Sequence, residues 1–94
     1  MKYVVQIEIS PDRKVEDDPA QMQDLLGAWQ KLNPIGMYFS LSRRSVTIIV
    51  DLPNEDAMFE AMYRTWGVVD KYPDVNPVVG AEEFPAILKR IGKG

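Results

Sequence analysis

A chain of 94 residues with 46% hydrophobic side chains is expected to form one domain, residues 1–94. It contains no Cys and no His, which excludes disulfides, thiol chemistry, imidazole catalysis and His-ligated metal or haem within it. Its net charge is −3 with both signs interspersed, without the basic patch of a nucleic-acid binder, and no apolar run approaches the roughly 20 residues of a transmembrane helix.

Lys2 to Ile9 predicts a first strand, because Tyr3, Val5, Ile7 and Ile9 alternate with Val4, Gln6 and Glu8. Ser10-Pro11-Asp12 stops it, since Pro cannot continue a central ladder, and Arg13 to Asp17 reads as a polar loop. Asp18-Pro19 opens the first helix as N-cap and first helical residue. Met22, Leu25, Trp29 and Leu32 follow at helical spacing with Leu26 beside them, until Asn33-Pro34 ends the helix. Ile35 to Leu41 predicts a second strand with Ile35, Met37, Phe39 and Leu41 on one face, and Ser42-Arg43-Arg44 a hairpin turn.

Ser45 to Leu52 is the most β-like run in the chain. Asn54 then reads as the N-cap of a second helix, with Glu55 and Asp56 favourable in its first turn. Met58, Phe59, Ala61, Met62, Thr65, Trp66 and Val69 make its broad apolar face, through about Asp70. Tyr72-Pro73-Asp74 is a turn. Val75 to Ala81 is a fourth strand that Pro77 relegates to a sheet edge. Glu82 onward is a short last helix with Phe84, Ile87, Leu88 and Ile91 on one side, ended by Gly92.

The order β-α-β-β-α-β, then α, with right-handed crossovers, predicts an α+β fold: a ferredoxin-like sandwich with an antiparallel sheet in the order 4-1-3-2. Both long helices cover the strand faces carrying Tyr3, Val5 and Ile7, Met37 and Phe39, and Val46, Ile48 and Val50. The other face carries Val4, Gln6, Glu8, Tyr38, Ser40, Thr47, Ile49, Asp51, Asn76 and Val78, a mixture of apolar and polar residues. Antiparallel pairing brings Glu8 near Arg43 and Ser45, and Lys2 near Asp51. Such a face suits a second sheet better than bulk water, so a homodimer or larger ring through it is preferred over a solvated face.

Val50-Asp51-Leu52-Pro53-Asn54-Glu55-Asp56-Ala57-Met58, with Val75 to Phe84 behind it, resembles the muconolactone isomerase-like group of the dimeric α+β barrels. The element order matches over nearly the whole chain. The resemblance implies two sheets packed face to face in a dimer or larger ring, around a small-molecule pocket that often needs no cofactor. The activities it implies are a cofactor-free isomerase or monooxygenase acting on a small aromatic or lactone-like compound. The hairpin between strands two and three looks shorter here than in the isomerases, and its basic and aromatic residues do not align, so no catalytic residue carries over.

From the residues themselves, Glu8, Tyr38 and Asp51 are the candidates for chemistry. The two carboxylates are placed for general acid/base work in a partly dry barrel, and Tyr38 for orienting a carbonyl or phenol. The plainer reading, charge pairing of Glu8 with Arg43 and of Asp51 with Lys2 at the sheet ends, is preferred. Tyr3, Trp29, Phe39, Met58, Met62, Tyr63 and Trp66 are candidate ligand-binding residues of an adaptable apolar pocket between sheet and helices. The same side chains also read as plain core, which a small domain must build from large residues, and this too is preferred. Arg43-Arg44 offers a clamp for a substrate carboxylate, against the commoner reading of a solvated turn.

Two functions therefore compete: a dimeric small-molecule binder or cofactor-free enzyme, and a non-catalytic module that self-associates through its sheet. RNA binding through the sheet lacks exposed central aromatics and basic surroundings. A regulatory amino-acid-binding domain lacks a Gly in the loop after the first strand. No cofactor, no metal, no nucleic acid and no membrane are expected. With no signal-peptide layout at the N-terminus, the expected location is cytoplasmic.

Overall fold

A computed structural model describes residues 1–12, 17–52 and 55–93. The elements run β1 (Lys2–Glu8), α1 (Pro19–Gln30), β2 (Gly36–Phe39), β3 (Ser45–Asp51), α2 (Glu55–Val69), β4 (Asp74–Val78) and α3 (Phe84–Arg90). The strands form one sheet in the order β2-β3-β1-β4, with every neighbouring pair antiparallel. This is the α+β, ferredoxin-like order expected from the sequence.

Local chemistry sets the element ends. The Asp18 carboxylate caps α1, accepting from the backbone N–H of Ala20 at 3.0 Å and of Gln21 at 3.4 Å, while Pro19 occupies a position where no amide hydrogen is needed. Past the end of α1, Asn33 adopts φ 51°, and past α2, Asp70 adopts φ 59°. Asn and Asp tolerate this left-handed region better than other residues with a Cβ. The expected cap Asn54 lies outside the described residues.

The central ladder pairs Lys2 with Asp51 through Glu8 with Ser45. Its parity sends Val5, Ile7, Val46, Ile48 and Val50 to one face, where all are buried with Leu25 and Trp29 of α1 and Met58, Ala61, Val68 and Val69 of α2. Within this layer the Trp29 indole Nε1–H donates to Thr65 Oγ1 at 2.7 Å, and the Thr65 hydroxyl donates to the Ala61 carbonyl at 2.8 Å. Thr65 is the one buried polar residue among those described, and this relay satisfies it together with the indole.

Four expectations shift at the edges. The second strand spans only Gly36–Phe39, and Ile35 and Leu41, expected on its apolar face, are exposed. Ser40 instead starts the turn, accepting from the backbone N–H of Ser42 and of Arg43 at 3.2 Å each. Phe39, expected against the core, is 52% exposed and lines an open hollow that it shares with Met22 of α1. The fourth strand spans Asp74–Val78, with Pro77 on the edge opposite Tyr3. In α3 no residue is buried; Phe84, and Ile91 just past its end, are exposed, and none of the helix's residues belongs to the core cluster. The described chain measures 50 × 30 × 19 Å with a radius of gyration of 15.3 Å. A compact domain of this length has about 12 Å.

Thr65→Val strands the indole N–H in the core, and a loss of about 1–3 kcal/mol is expected. Trp29→Phe should then cost less in the Thr65→Val background than alone. Urea unfolding of both single variants and the double variant measures the coupling, and strict additivity would mean that this hydrogen bond contributes nothing.

Candidate functional site

An apolar hollow next to charged groups lies where the β2–β3 hairpin, the end of β1 and the first turn of α1 meet. It encloses about 370 Å³ and is lined by Ile9, Met22, Phe39, Ser40, Arg43, Arg44, Ser45 and Val46. This volume is in the range of small-molecule sites, about 300–1,000 Å³. A second hollow shares Ile9, Arg43, Arg44 and Ser45, and adds Glu8 and Pro11.

The hairpin holds its arginines by backbone geometry. Besides the two amides gathered by Ser40 Oγ, Ser45 N–H donates to the Arg43 carbonyl at 2.9 Å and Ser40 N–H to the Ser45 carbonyl at 3.1 Å. Ile9 N–H donates to the Arg44 carbonyl at 2.9 Å, extending the β1 ladder past Glu8. The Arg44 guanidinium donates from Nη1 to the Ser10 carbonyl at 2.6 Å, which holds it at the wall of the hollow. Arg43 approaches Glu8 only to 4.0 Å, while Lys71 reaches the same carboxylate at 3.3 Å. Glu8 thus serves two cations and leans toward Lys71.

The three candidates for chemistry are spread across the sheet. Glu8 and Asp51 lie at opposite ends of the β1–β3 ladder, six residue steps and so about 20 Å apart along the strands. Both are about half exposed, at 50% and 56%. Asp51 pairs with the N-terminal ammonium at 3.2 Å. The ladder sets it opposite Lys2 as expected, but the ion pair forms with Met1. Tyr38 sits on β2 opposite Thr47, exposed, with its ring turned back over Gly36, where a Cβ would lie 2.7–3.0 Å from ring atoms.

The candidate ligand-binding residues do not share one cavity. Trp29 and Met58 belong to the buried core, with Tyr3 and Met62 half-buried against it. Phe39 lines the hairpin hollow. Tyr63 lines a separate groove of about 580 Å³ on the outer surface of the helix pair, with Gln21, Asp24, Glu60, Arg64, Gly67 and Val68. There Arg64 is already paired with Glu60 at 3.5 Å. Trp66 stands outside the core and stacks on Tyr72, with ring centroids 5.9 Å apart and an interplanar angle of 8°.

Sequence reasoning singled out Arg43, Arg44 and Phe39 but not Ile9, Met22 and Ser40 as companions. The only sequence signal of Ile9 and Met22 was strand or helix parity, which reads as core, and that of Ser40 placed it on the other face of the sheet. Lys71 as a partner of Glu8 had no signal, being 63 residues away. Among the described residues no group of three or more Asp, Glu, His or Cys is gathered to hold a metal, and no helix is long and apolar enough to cross a membrane.

Two comparisons bear on this geometry. The profile of a family described as a domain of unknown function, DUF3303, matches residues 1–92. No curated protein matches the chain.

The two tryptophans differ enough to be read separately. Trp29 is 0% and Trp66 42% exposed, so iodide should quench only part of the native emission. Trp66→Phe is expected to leave a single, iodide-protected component, and Stern–Volmer plots of both proteins check it.

Proposed function

We propose, from the premise that the chain belongs to the DUF3303 family of unknown function, that it is a self-associating α+β barrel protein that binds a small molecule. The observation that carries this is the uncovered face of the sheet. Cross-strand rows there read Gly36–Ile49–Val4–Asn76 and Tyr38–Thr47–Gln6–Asp74. Ile49 and Val4 put an apolar centre on this face, and Thr47 Oγ1 donates to Gln6 Oε1 at 2.8 Å beside it. Glu8 and Asp51 stand at the two ends. An apolar centre with a polar, charged border is the pattern of a protein interface, and two sheets joined by such faces pack about 10 Å apart. A homodimer, or a larger ring built on it, completes the barrel.

Within the dimeric α+β barrels, the resemblance of residues 50–58 to the muconolactone isomerase-like group supports a small aromatic or lactone-like ligand. Cofactor-free isomerisation or monooxygenation would be the activity on this reading, in a cytoplasmic protein. The exposed and separated positions of Glu8 and Asp51 favour a second reading, in which the sheet face associates and no chemistry follows. A ligand turned over by the purified protein decides between the two.

Light scattering on a sizing column, over a wide concentration range, is expected to give at least twice the chain mass of 10.7 kDa. Ile49→Lys places a charge at the centre of the proposed interface and should yield folded monomer. Wild-type protein that stays monomeric at every concentration would remove the barrel reading.

A further inference from the structure

We infer that the hollow between the β2–β3 hairpin and α1 is a binding site for a small carboxylate with a flat apolar body, held by Arg43 with Arg44 at its wall; this rests on the small-molecule reading above and names its ligand class. Four of its lining side chains, Ile9, Met22, Phe39 and Val46, are apolar. Phe39 offers half its surface to the opening although it belongs to the apolar parity of its strand. An exposed ring that shares a hollow with a thioether and a branched aliphatic chain offers a stacking surface for a ring or an extended hydrocarbon.

The polar part of the hollow carries two guanidinium groups. Arg43 and Arg44 both line it, and Glu8 is the one carboxylate among the described residues lining it or its neighbour. Glu8 is engaged by Lys71 at 3.3 Å and meets Arg43 only at 4.0 Å. A ligand carboxylate can therefore take the Arg43 fork without displacing a close ion pair. Guanidinium and carboxylate match as two parallel N–H···O bonds, a geometry that a Lys ammonium does not offer.

The site is also held in place before any ligand arrives. Ser40 Oγ gathers the amides of Ser42 and Arg43, and the Ser10 carbonyl fixes the Arg44 guanidinium. The hairpin backbone and the Arg44 guanidinium are thus ordered in advance, and the exposed Arg43 side chain is what the ligand has to order. Glu8 in the same cluster disfavours a dianion, so a carboxylate fits better than a phosphate monoester.

The test is an amide-resolved NMR titration of the full chain with benzoate, 2-naphthoate, benzamide and phenyl phosphate. The carboxylates are expected to shift the amides of Ile9, Ser40 and Ser45, with benzamide at least about tenfold weaker, the effect of losing a charge-assisted hydrogen bond. Arg43→Gln, at a position 74% exposed and so tolerated by the fold, should remove that preference while benzamide binds as before. Phe39→Ala should weaken every probe. Equal binding of benzamide and benzoate, an unchanged benzoate affinity in Arg43→Gln, or a preference for phenyl phosphate would each overturn the assignment. Shifts confined to the groove around Tyr63 and Gly67 would overturn this site and leave the small-molecule reading standing. A dimer that responds to none of the carboxylates would end the present inference alone, whereas a monomer in the sizing experiment removes the reading beneath it.

Discussion

The antiparallel pairing of β1 with β3, from Lys2 opposite Asp51 to Glu8 opposite Ser45, is the constraint on which the rest of the structure depends. Side chains alternate along a strand, so a slip of one residue would send Val5, Ile7, Val46, Ile48 and Val50 to the other face. The helix layer would then have nothing to cover. The same register places Val4 beside Ile49, Gln6 beside Thr47, and Glu8 within reach of Arg43. Core, open face and charged corner follow from one alignment. Burial of the apolar set on one side is what makes that alignment specific.

The helix pair adds a second restraint of a different kind. Burial of Trp29 and Thr65 is apolar packing for most of their atoms, but the 2.7 Å bond between them is directional. It ties a residue near the C-terminal end of α1 to one in the later half of α2. Hydrophobic burial alone tolerates sliding of one helix along the other. A donor and acceptor shut away from water tolerate much less, because separation leaves both unsatisfied. The first turn of α1 brings Met22 to the hollow that Phe39 also lines.

Legibility varied with the distance over which each feature is determined. The Asp18-Pro19 start of α1 was readable because a cap and the residues it serves are adjacent. The parity of β1 and β3 was readable for similar reasons, and the sheet order followed from the order of elements and right-handed crossovers. Phe39 was misplaced because parity says which face a side chain takes but not how completely that face is covered. Ile35 and Leu41 failed in the same way at the ends of an edge strand. The candidate site was half visible: Arg43-Arg44 stood out as a pair, while Ile9 and Met22 looked like any core position until the fold set them around the same opening. The stacking of Trp66 on Tyr72 and the bond from Lys71 to Glu8 join segments whose proximity no local pattern records.

Sequence by itself determined the element types, their order, the apolar face of each strand and the absence of Cys- and His-based chemistry, since these depend on residue identity and on neighbours a few positions away. Only the tertiary structure decided which apolar residues became core and which remained at openings, that Glu8 and Asp51 stand at opposite ends of the ladder, and that Asp51 pairs with the N-terminal ammonium rather than Lys2. The physical reason is that burial and ion pairing depend on distances between segments remote in the chain. Those distances exist only once the helices have packed and the strands have found their register.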